Sequence, residues 1–427
     1  MEHQFKKISV IGLGYIGLPT AAMFASRKIE VVGVDVNQAA VNTINRGEIH
    51  IVEPDLDMVV HAAVHEGYLR ATTTPEPANA FLIAVPTPFK GDNHEPDLSF
   101  IEAASKAIAP VLEAGNLVIL ESTSPVGSTE QMAGWLAAAR PDLSFPQEAG
   151  EDSGVRIAHC PERVLPGKVM QELITNDRVI GGMTRRCAEM AATLYRTFVA
   201  GECVIASSPR VAEMAKLTEN SFRDVNIAFA NELSLICDDL DINVWELIAL
   251  ANRHPRVNIL RPGPGVGGHC IAVDPWFIVS SAPDRARLIK TAREVNDAKP
   301  EWVIEQARSS LGEYLQKNPG KTAQDVTIAC LGLAFKPDID DLRESPSLEI
   351  ALELARQHPG PVVAIEPNIR ELPAGLPECL QLVAWSEILS KPTIALILVN
   401  HRAFQEIPKQ FWDDVLVIDA CGMSASQ

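Results

Sequence analysis

The sequence predicts an α/β protein: two doubly wound parallel sheets joined by a central helical segment that carries one long helix. Three observations carry this reading. Short apolar runs alternate with helical stretches at the N-terminal end. A glycine- and proline-free stretch then runs from residue 210 to Leu240. After residue 325 the strand–helix–strand alternation returns. The length of 427 residues accommodates about three domains at ~150 residues each. We place them at 1–207, 208–310 and 320–427.

The first unit opens with "KKISVIGLGYIG", a buried strand, a glycine turn and the start of a helix. "IEVVGVDVN" is a second strand ending at Asp35. Gly12, Gly14 and Gly17 form G-x-G-x-x-G at the strand–helix junction, with an acid near the expected ~20 residues further on. Gly12 allows the tight turn, Gly14 lets a pyrophosphate reach the backbone, and Gly17 permits close helix–sheet packing. The helix N-terminus offers unpaired N–H groups to the phosphates. Asp35 accepts from the ribose hydroxyls and repels a 2′-phosphate, so the expected cofactor is NAD rather than NADP. Tyr15 and Ile16, between the glycines, join the expected cofactor contacts.

"AFLIAVPTP" (80–88) and "NLVILESTSP" (116–125) are further strands ending in small polar residues. In open α/β sheets ligands sit at such carboxyl ends. Thr87, Ser122 and Thr123 therefore fall near the nicotinamide end. Ser128 and Thr129 open the next helix, where capping is an equally good role, and Thr129 is also an expected cofactor contact. Beyond "HCPERVLPG" (159–167) the pattern becomes helical. Ser208-Pro209 supplies an N-cap and first-turn pair, and the helix to Leu240 reaches ~45 Å at 1.5 Å per residue. It is apolar on more than one face, so it packs between domains or protomers. Lys216 and Asn220, four apart, share one side of it.

The polar stretch 308–325 reads as the end of a helix and a linker. "VTIACLGLAF", "PVVAIEPN", "TIALILVNH" and "VLVIDACG" are then strands of a second sheet, with "SPSLEIALELARQ" a capped helix. This sheet lacks the glycine fingerprint. Its first loop, "KPDIDDLRES", offers Lys336 and Arg343 to a second anionic ligand.

Bulk properties narrow the function. A net charge of −18 disfavours nucleic-acid and anionic membrane surfaces. Eight scattered cysteines without a C-x-x-C pair fit reduced cytoplasmic thiols better than disulfides or a metal site. We expect no metal. Residues 8–25 imitate a short membrane span, but three glycines and a proline make them a poor one, so no membrane insertion is expected. In "GPGVGGHCIAVDP" (263–275) four glycines crowd Cys270. Both a tight loop with a packed thiol and a nucleophile cleared for a bulky substrate fit that stretch.

Together, GLGYIG, "ESTSPVGST", "PERVLPG", "KLTEN", "GVGGHCIAVDP" and "GLAFKPDIDDLRESP" resemble the UDP-glucose/GDP-mannose dehydrogenase family over nearly the whole chain. Glu162-Arg163 followed by Pro166-Gly167 resembles the branch acting on UDP-2-acetamido sugars. Ser124 departs from the valine common in the family. The resemblance implies two Rossmann-like domains, one for the dinucleotide and one for UDP, and a cytoplasmic homodimer. It implies oxidation of a sugar C6 alcohol to a carboxylate with two NAD. The expected sugar is UDP-N-acetyl-D-mannosamine, in surface polysaccharide synthesis of the enterobacterial common antigen type. UDP-N-acetylglucosamine, UDP-N-acetylgalactosamine and UDP-glucose are the alternatives.

In that chemistry Cys270 is the nucleophile that retains the aldehyde between two cofactor exchanges. Lys216 and Asn220 stabilise an oxyanion and assist proton transfer. Asp274 and Glu162 organise or activate water, and Thr123 assists beside the nicotinamide. By resemblance, Arg163, Val164, Arg223, His254, Arg256, Gly267, Phe335 and Lys336 contact substrate together with Lys216 and Asn220. Arg256 acts across a subunit boundary, and Arg343 contacts the cofactor. A single-step hydroxy-acid dehydrogenase explains the first sheet and Lys216 but not the Cys270 loop or the second sheet. A non-enzymatic NAD sensor leaves Cys270, Lys216, Asn220 and Asp274 without a purpose.

Overall fold

The computed structural model describes residues 5–91, 94–165, 167–373, 376, 380–384 and 392–423. The chain divides into two compact units. One comprises residues 1–219 and 280–282, the other 220–279 and 283–427.

In the first unit the strands in chain order are β1 (Lys7–Ile11), β2 (Glu30–Val34), β3 (Leu69–Thr72), β4 (Ala80–Ile83), β5 (Phe89–Lys90), β6 (Glu95–Pro96), β7 (Leu117–Leu120), β8 (Arg156–His159), β9 (Arg178–Gly182) and β10 (Cys203–Ala206). Among the described residues, an eight-stranded sheet runs β10-β9-β8-β7-β4-β1-β2-β3, and β5 pairs with β6 as a separate ribbon. From β3 to β8 every neighbouring pair is parallel, whereas β9 lies antiparallel to β8. Central strands read as unbroken apolar runs because helices cover both faces. Val10, Leu82, Ile119 and Leu13 are fully buried, in keeping with that. The strand order reverses between β1 and β4, and this reversal opens a crevice at their carboxyl ends.

The segment 8–25 that imitates a membrane span is β1, a turn and the buried helix Gly17–Ser26. Among the described residues no helix is long and apolar enough to cross a membrane. Past residue 167 the helical reading is incomplete. Two helices, Val169–Thr175 and Arg185–Tyr195, alternate with β9 and β10. These strands are only four or five residues long, too short to show a period in sequence.

The long helix spans Pro209–Asp239, 31 residues, as its cap and length predict. The Ser208 hydroxyl accepts from the Val211 N–H at 3.3 Å. A second 31-residue helix, Arg287–Lys317, ends inside the 308–325 stretch read as the end of a helix and a linker. Trp302, Leu311, Tyr314 and Leu315 recur at helical spacing and pack on the second core. That apolar side outweighs Pro300 and Gly312.

The second unit's strands are β11 (Ile328–Leu331), β12 (Val362–Ile365), β13 (Gln381–Leu382), β14 (Ile394–Ile397) and β15 (Leu416–Asp419). Among the described residues they form a parallel sheet in the order β13-β12-β11-β14-β15. This order reverses between β11 and β14.

Candidate functional site

The first candidate site lies at the carboxyl ends of β1 and β4. Gly12 has φ +90° and its N–H donates to Val34 O at 2.8 Å. A Cβ there would sit 2.6 Å from the Ala84 carbonyl oxygen. At Gly17 a Cβ would lie 1.8 Å from the Gly12 oxygen, so helix and turn are in contact. At Gly14 a Cβ would meet nothing within 4 Å. The turn therefore leaves open space over Gly14, where the pyrophosphate of a dinucleotide fits against the helix N-terminus. Tyr15 and Ile16 border it and are half-buried.

Asp35 is fixed by two backbone donors. Leu13 N–H reaches Oδ2 at 2.9 Å and Asn37 N–H reaches Oδ1 at 2.8 Å. The carboxylate is thus oriented before any ribose arrives. Thr87 Oγ1 donates to Thr123 O at 2.5 Å, which ties the loops after β4 and β7 together. Ser122 Oγ donates to Val85 O at 2.6 Å. Thr129 is fully buried, and its hydroxyl donates to Glu213 Oε1 at 2.6 Å. Glu213 also accepts from the N–H groups of Gly127 and Thr129. This carboxylate from the long helix, rather than Ser128 or Thr129, caps helix Ser128–Ala139.

Glu162 is buried beside this region. Arg163 N–H and Arg178 Nη1 donate to its two oxygens, each at 2.6 Å. Arg178 is 1% exposed and also lies over the Tyr195 ring at 5.2 Å. The Tyr195 hydroxyl donates to Glu121 Oε1 at 2.6 Å. Burial pushes the Glu121 carboxyl up to about 7, against the opposing pull of Arg178. Arg163 pairs with Glu219, Nη2 to Oε1 at 2.6 Å. Val164 is half-buried next to it, and Pro166 lies outside the described residues. Lys216 is half-buried on the long helix, one turn before Asn220.

The second candidate site belongs to the other unit. Asn220 Nδ2 donates to Asp274 Oδ2 at 2.5 Å, and both residues are buried. Asp274 opens helix Asp274–Ser281, and its N–H reaches the Cys270 carbonyl at 2.8 Å. Cys270 is half-buried on the turn before that helix. The glycines ahead of it receive a ring: Cβ atoms at Gly267 and Gly268 would each lie 2.8 Å from Phe335. Gly268 N–H also donates to Arg343 O at 3.1 Å. The loop after β11 therefore lies directly against the Cys270 loop. It carries the half-buried Lys336, and Arg343, whose guanidinium pairs with Asp341. Arg223, His254 and Arg256 are exposed.

The second sheet retains more of the fingerprint than its sequence suggests. Gly332 has φ +92° and its N–H donates to Ile365 O at 2.8 Å, as Gly12 does to Val34 O. Glu366 takes the position of Asp35 and accepts from the N–H groups of Leu333 and Ala334. Ala334 stands where Gly14 stands in the first turn, and it is fully buried.

Glu213, Glu219, Arg178, Glu366 and His401 escaped sequence reasoning. Arg178 starts β9, Glu213 and Glu219 lie on the long helix, and Glu366 and His401 follow β12 and β14. Glu219 stands inside KLTEN, but nothing in that motif singles it out. Only the G-L-G and G-L-A repeat could have pointed to Glu366.

Comparison with known proteins agrees with this geometry. Residues 6–199 match the NAD binding domain of the UDP-glucose/GDP-mannose dehydrogenase family, residues 210–298 its central domain, and residues 329–425 its UDP binding domain. A UDP-N-acetyl-D-mannosamine dehydrogenase of Salmonella typhi is 64% identical over 98% of this chain and 99% of its own. An NDP-N-acetyl-D-galactosaminuronic acid dehydrogenase of Ralstonia nicotianae is 61% identical over 99% and 97%. Among solved structures, a UDP-D-ManNAc dehydrogenase from Pyrococcus horikoshii superposes with a TM-score of 0.86. It is 37% identical, over 98% of this chain and 96% of that one. The chain belongs to the UDP-glucose/GDP-mannose dehydrogenase family, with an NAD binding domain at its N-terminal end and a UDP binding domain at its C-terminal end.

Proposed function

We propose that this chain oxidises UDP-N-acetyl-D-mannosamine at C6 to the uronate, in four-electron, NAD-dependent chemistry. The observation that carries the sugar assignment is the 64% identity, over nearly the full length of both chains, to a UDP-N-acetyl-D-mannosamine dehydrogenase. NAD, when bound, supplies the hydride acceptor for each of two oxidations. The chain's own residues do the rest. Gly14 and the helix N-terminus hold the pyrophosphate, and the pre-oriented Asp35 takes the ribose.

Two oxidations at one nicotinamide site require the aldehyde to stay while the cofactor exchanges. In this reading the Cys270 thiolate adds to the aldehyde carbon, and the carbonyl oxygen becomes the thiohemiacetal oxygen. Lys216 and Asn220 stabilise its negative charge. Oxidation of the adduct leaves a thioester, and water releases the uronate and the thiol. Asp274 organises that water through its contact with Asn220. Glu162 has both oxygens occupied by Arg163 N–H and Arg178. We therefore give it a role in orientation rather than in proton abstraction. Thr123 and Thr87 border the nicotinamide, and Arg343 reaches the cofactor. Arg163, Val164, Arg223, His254, Arg256, Gly267, Phe335 and Lys336 hold the nucleotide sugar.

The three functional parts in this proposal are residues 1–207, 208–310 and 320–427. The long helix leaves Val211, Met214, Phe222, Phe229 and Ile236 exposed at spacings of three and seven or eight residues. A second copy covering this stripe makes the protein a homodimer and brings Arg256 to the partner's site. The setting is cytoplasmic, in surface polysaccharide synthesis. A second reading, the corresponding N-acetyl-D-galactosamine substrate, is favoured by the 61% identity to the Ralstonia nicotianae protein. Turnover of UDP-N-acetylmannosamine, -glucosamine, -galactosamine and UDP-glucose separates them. The mannosamine sugar should give the highest kcat/KM and two NADH per uronate. Faster turnover of another sugar overturns the assignment.

A further inference from the structure

We infer that His401 is a positioning residue for the nucleotide-sugar half, and that it acts as a hydrogen-bond acceptor holding the loop after β11. His401 follows β14 at the point where the second sheet's strand order reverses, and it is fully buried. Its ring meets three partners. Asp338 N–H approaches Nδ1 at 3.0 Å, Asn368 Nδ2 lies 3.1 Å from Nδ1, and Glu366 Oε2 lies 3.0 Å from Nε2.

The partners fix the tautomer. A peptide N–H can only donate, so Nδ1 must accept. Glu366 already accepts from Leu333 and Ala334 N–H at the same oxygen, so Nε2 must carry the hydrogen and donate to it. The imidazole thus links the turn after β11, the end of β12 and the loop after β14 through one set of donors and acceptors.

The Asp338 N–H is the point of control. Asp338 has φ +62°, a left-handed conformation that its surroundings hold in place. His401 holds its peptide group. Arg402 holds its carboxylate, through N–H at 3.1 Å and Nε at 2.8 Å. The loop fixed in this way presents Phe335 and Lys336. It also ends at Arg343, whose carbonyl accepts from Gly268, two residues before Cys270. The acceptor on His401 therefore sets where the loop stands against the Cys270 loop.

This inference rests on the reading of Phe335 and Lys336 as substrate contacts. The test pairs two variants. Asparagine places an amide oxygen near the Nδ1 position and keeps the acceptor. Glutamine places an amide near Nε2, keeps the donor to Glu366 and leaves the Asp338 N–H unmatched. Titration calorimetry with UDP should show His401→Gln weakened about tenfold and His401→Asn within about threefold of wild type. With UDP-sugar as substrate, the loss in His401→Gln should appear in KM and little in kcat. NAD affinity, which depends mainly on the turn after β1, should change less than UDP affinity in His401→Gln.

Equal affinity in both variants, with Lys336→Ala weakened, overturns the positioning role and leaves the site reading intact. UDP affinity unchanged in Lys336→Ala overturns the site reading itself. If His401→Gln does not fold, His401→Asn still decides the matter. A folded asparagine variant that loses UDP tenfold contradicts the claim that an acceptor at this point suffices.

Discussion

The turns after β1 and β11 share a backbone plan and differ in what they leave open. Each begins with a glycine at φ near +90°, Gly12 and Gly332, whose N–H donates across to the next strand. In each a carboxylate at the end of the second strand accepts from the turn's own N–H groups. At the first turn the space over Gly14 is clear, and Asp35 is only half-buried. At the second, Ala334 fills the corresponding position, and Glu366 is sealed beneath His401. The first turn can receive a pyrophosphate and a ribose. The second has committed the same groups to internal hydrogen bonds, and in the proposed reading its substrate contacts are Phe335 and Lys336, further along the loop. One scaffold therefore serves two nucleotides by different means.

Removing the thiol should break the chemistry without touching either nucleotide site. Cys270→Ala loses one small half-buried side chain, so the protein should fold and bind both NAD and UDP. Uronate formation should fall by several orders of magnitude, on the scale of other nucleophile deletions. Mass spectrometry of the product beside NADH absorbance measures it. A folded alanine variant that makes uronate near the wild-type rate would falsify the tether.

Asp35 sharpens the first half of the comparison. Its carboxylate is held in place by Leu13 and Asn37 N–H. Wild type should prefer NAD to NADP in kcat/KM, and Asp35→Ala should narrow that preference by about tenfold or more, the worth of a lost charged hydrogen bond. Equal use of both cofactors by wild type removes the role assigned to Asp35. The equivalent change at Glu366 should leave cofactor preference alone.

The two units also differ in how their stability depends on pH, without a change in activity. Burial raises Glu121 in the first unit from 4.5 to about 7. Between those values the folded chain binds a proton that the unfolded chain has released, so stability falls as pH rises through that window. Burial lowers Lys299 in the second unit from 10.5 to about 7. There the folded chain lacks a proton the unfolded chain holds, and stability rises from pH 7 towards 10.5. At ~1.4 kcal/mol per pKa unit the shifts set upper bounds of about 3 kcal/mol for Glu121 and about 5 kcal/mol for Lys299. Denaturant midpoints across pH measure both slopes. Glu121→Gln should flatten the acid window alone and Lys299→Met the alkaline window alone. A slope that survives its own substitution assigns it to another group.

Much of this design was legible in the sequence, and the reasons are local. G-L-G-Y-I-G, Asp35 and the strand runs declare themselves because backbone approach and burial on both faces demand particular residue types at fixed spacing. The long helix was readable from the Ser208-Pro209 cap and from the absence of breakers. The end of the helix Arg287–Lys317 falls inside the 308–325 stretch, as read, but its 31-residue length is masked in sequence because Pro300, Ser309, Ser310 and Gly312 lower its propensity, while tertiary packing of Trp302 and Leu311 restores it. The expectation that the second sheet had lost its fingerprint missed Gly332. One glycine with an alanine two residues on is too short a signal without strand register. Glu213, which caps a helix through Thr129, 84 residues before it, and Arg178 beneath Glu162 were beyond sequence reading, because their partners are set by the fold alone.

The central claim is that the open first turn and the closed second one divide the two nucleotides between them. Gly14→Val tests it most directly. A side chain there meets no protein atom within 4 Å of its Cβ, so the variant should fold, but it fills the space over the turn. Calorimetric titration should show NAD affinity reduced by about a hundredfold and UDP affinity within about twofold of wild type. Unchanged NAD binding, or a parallel loss of UDP, would contradict the account.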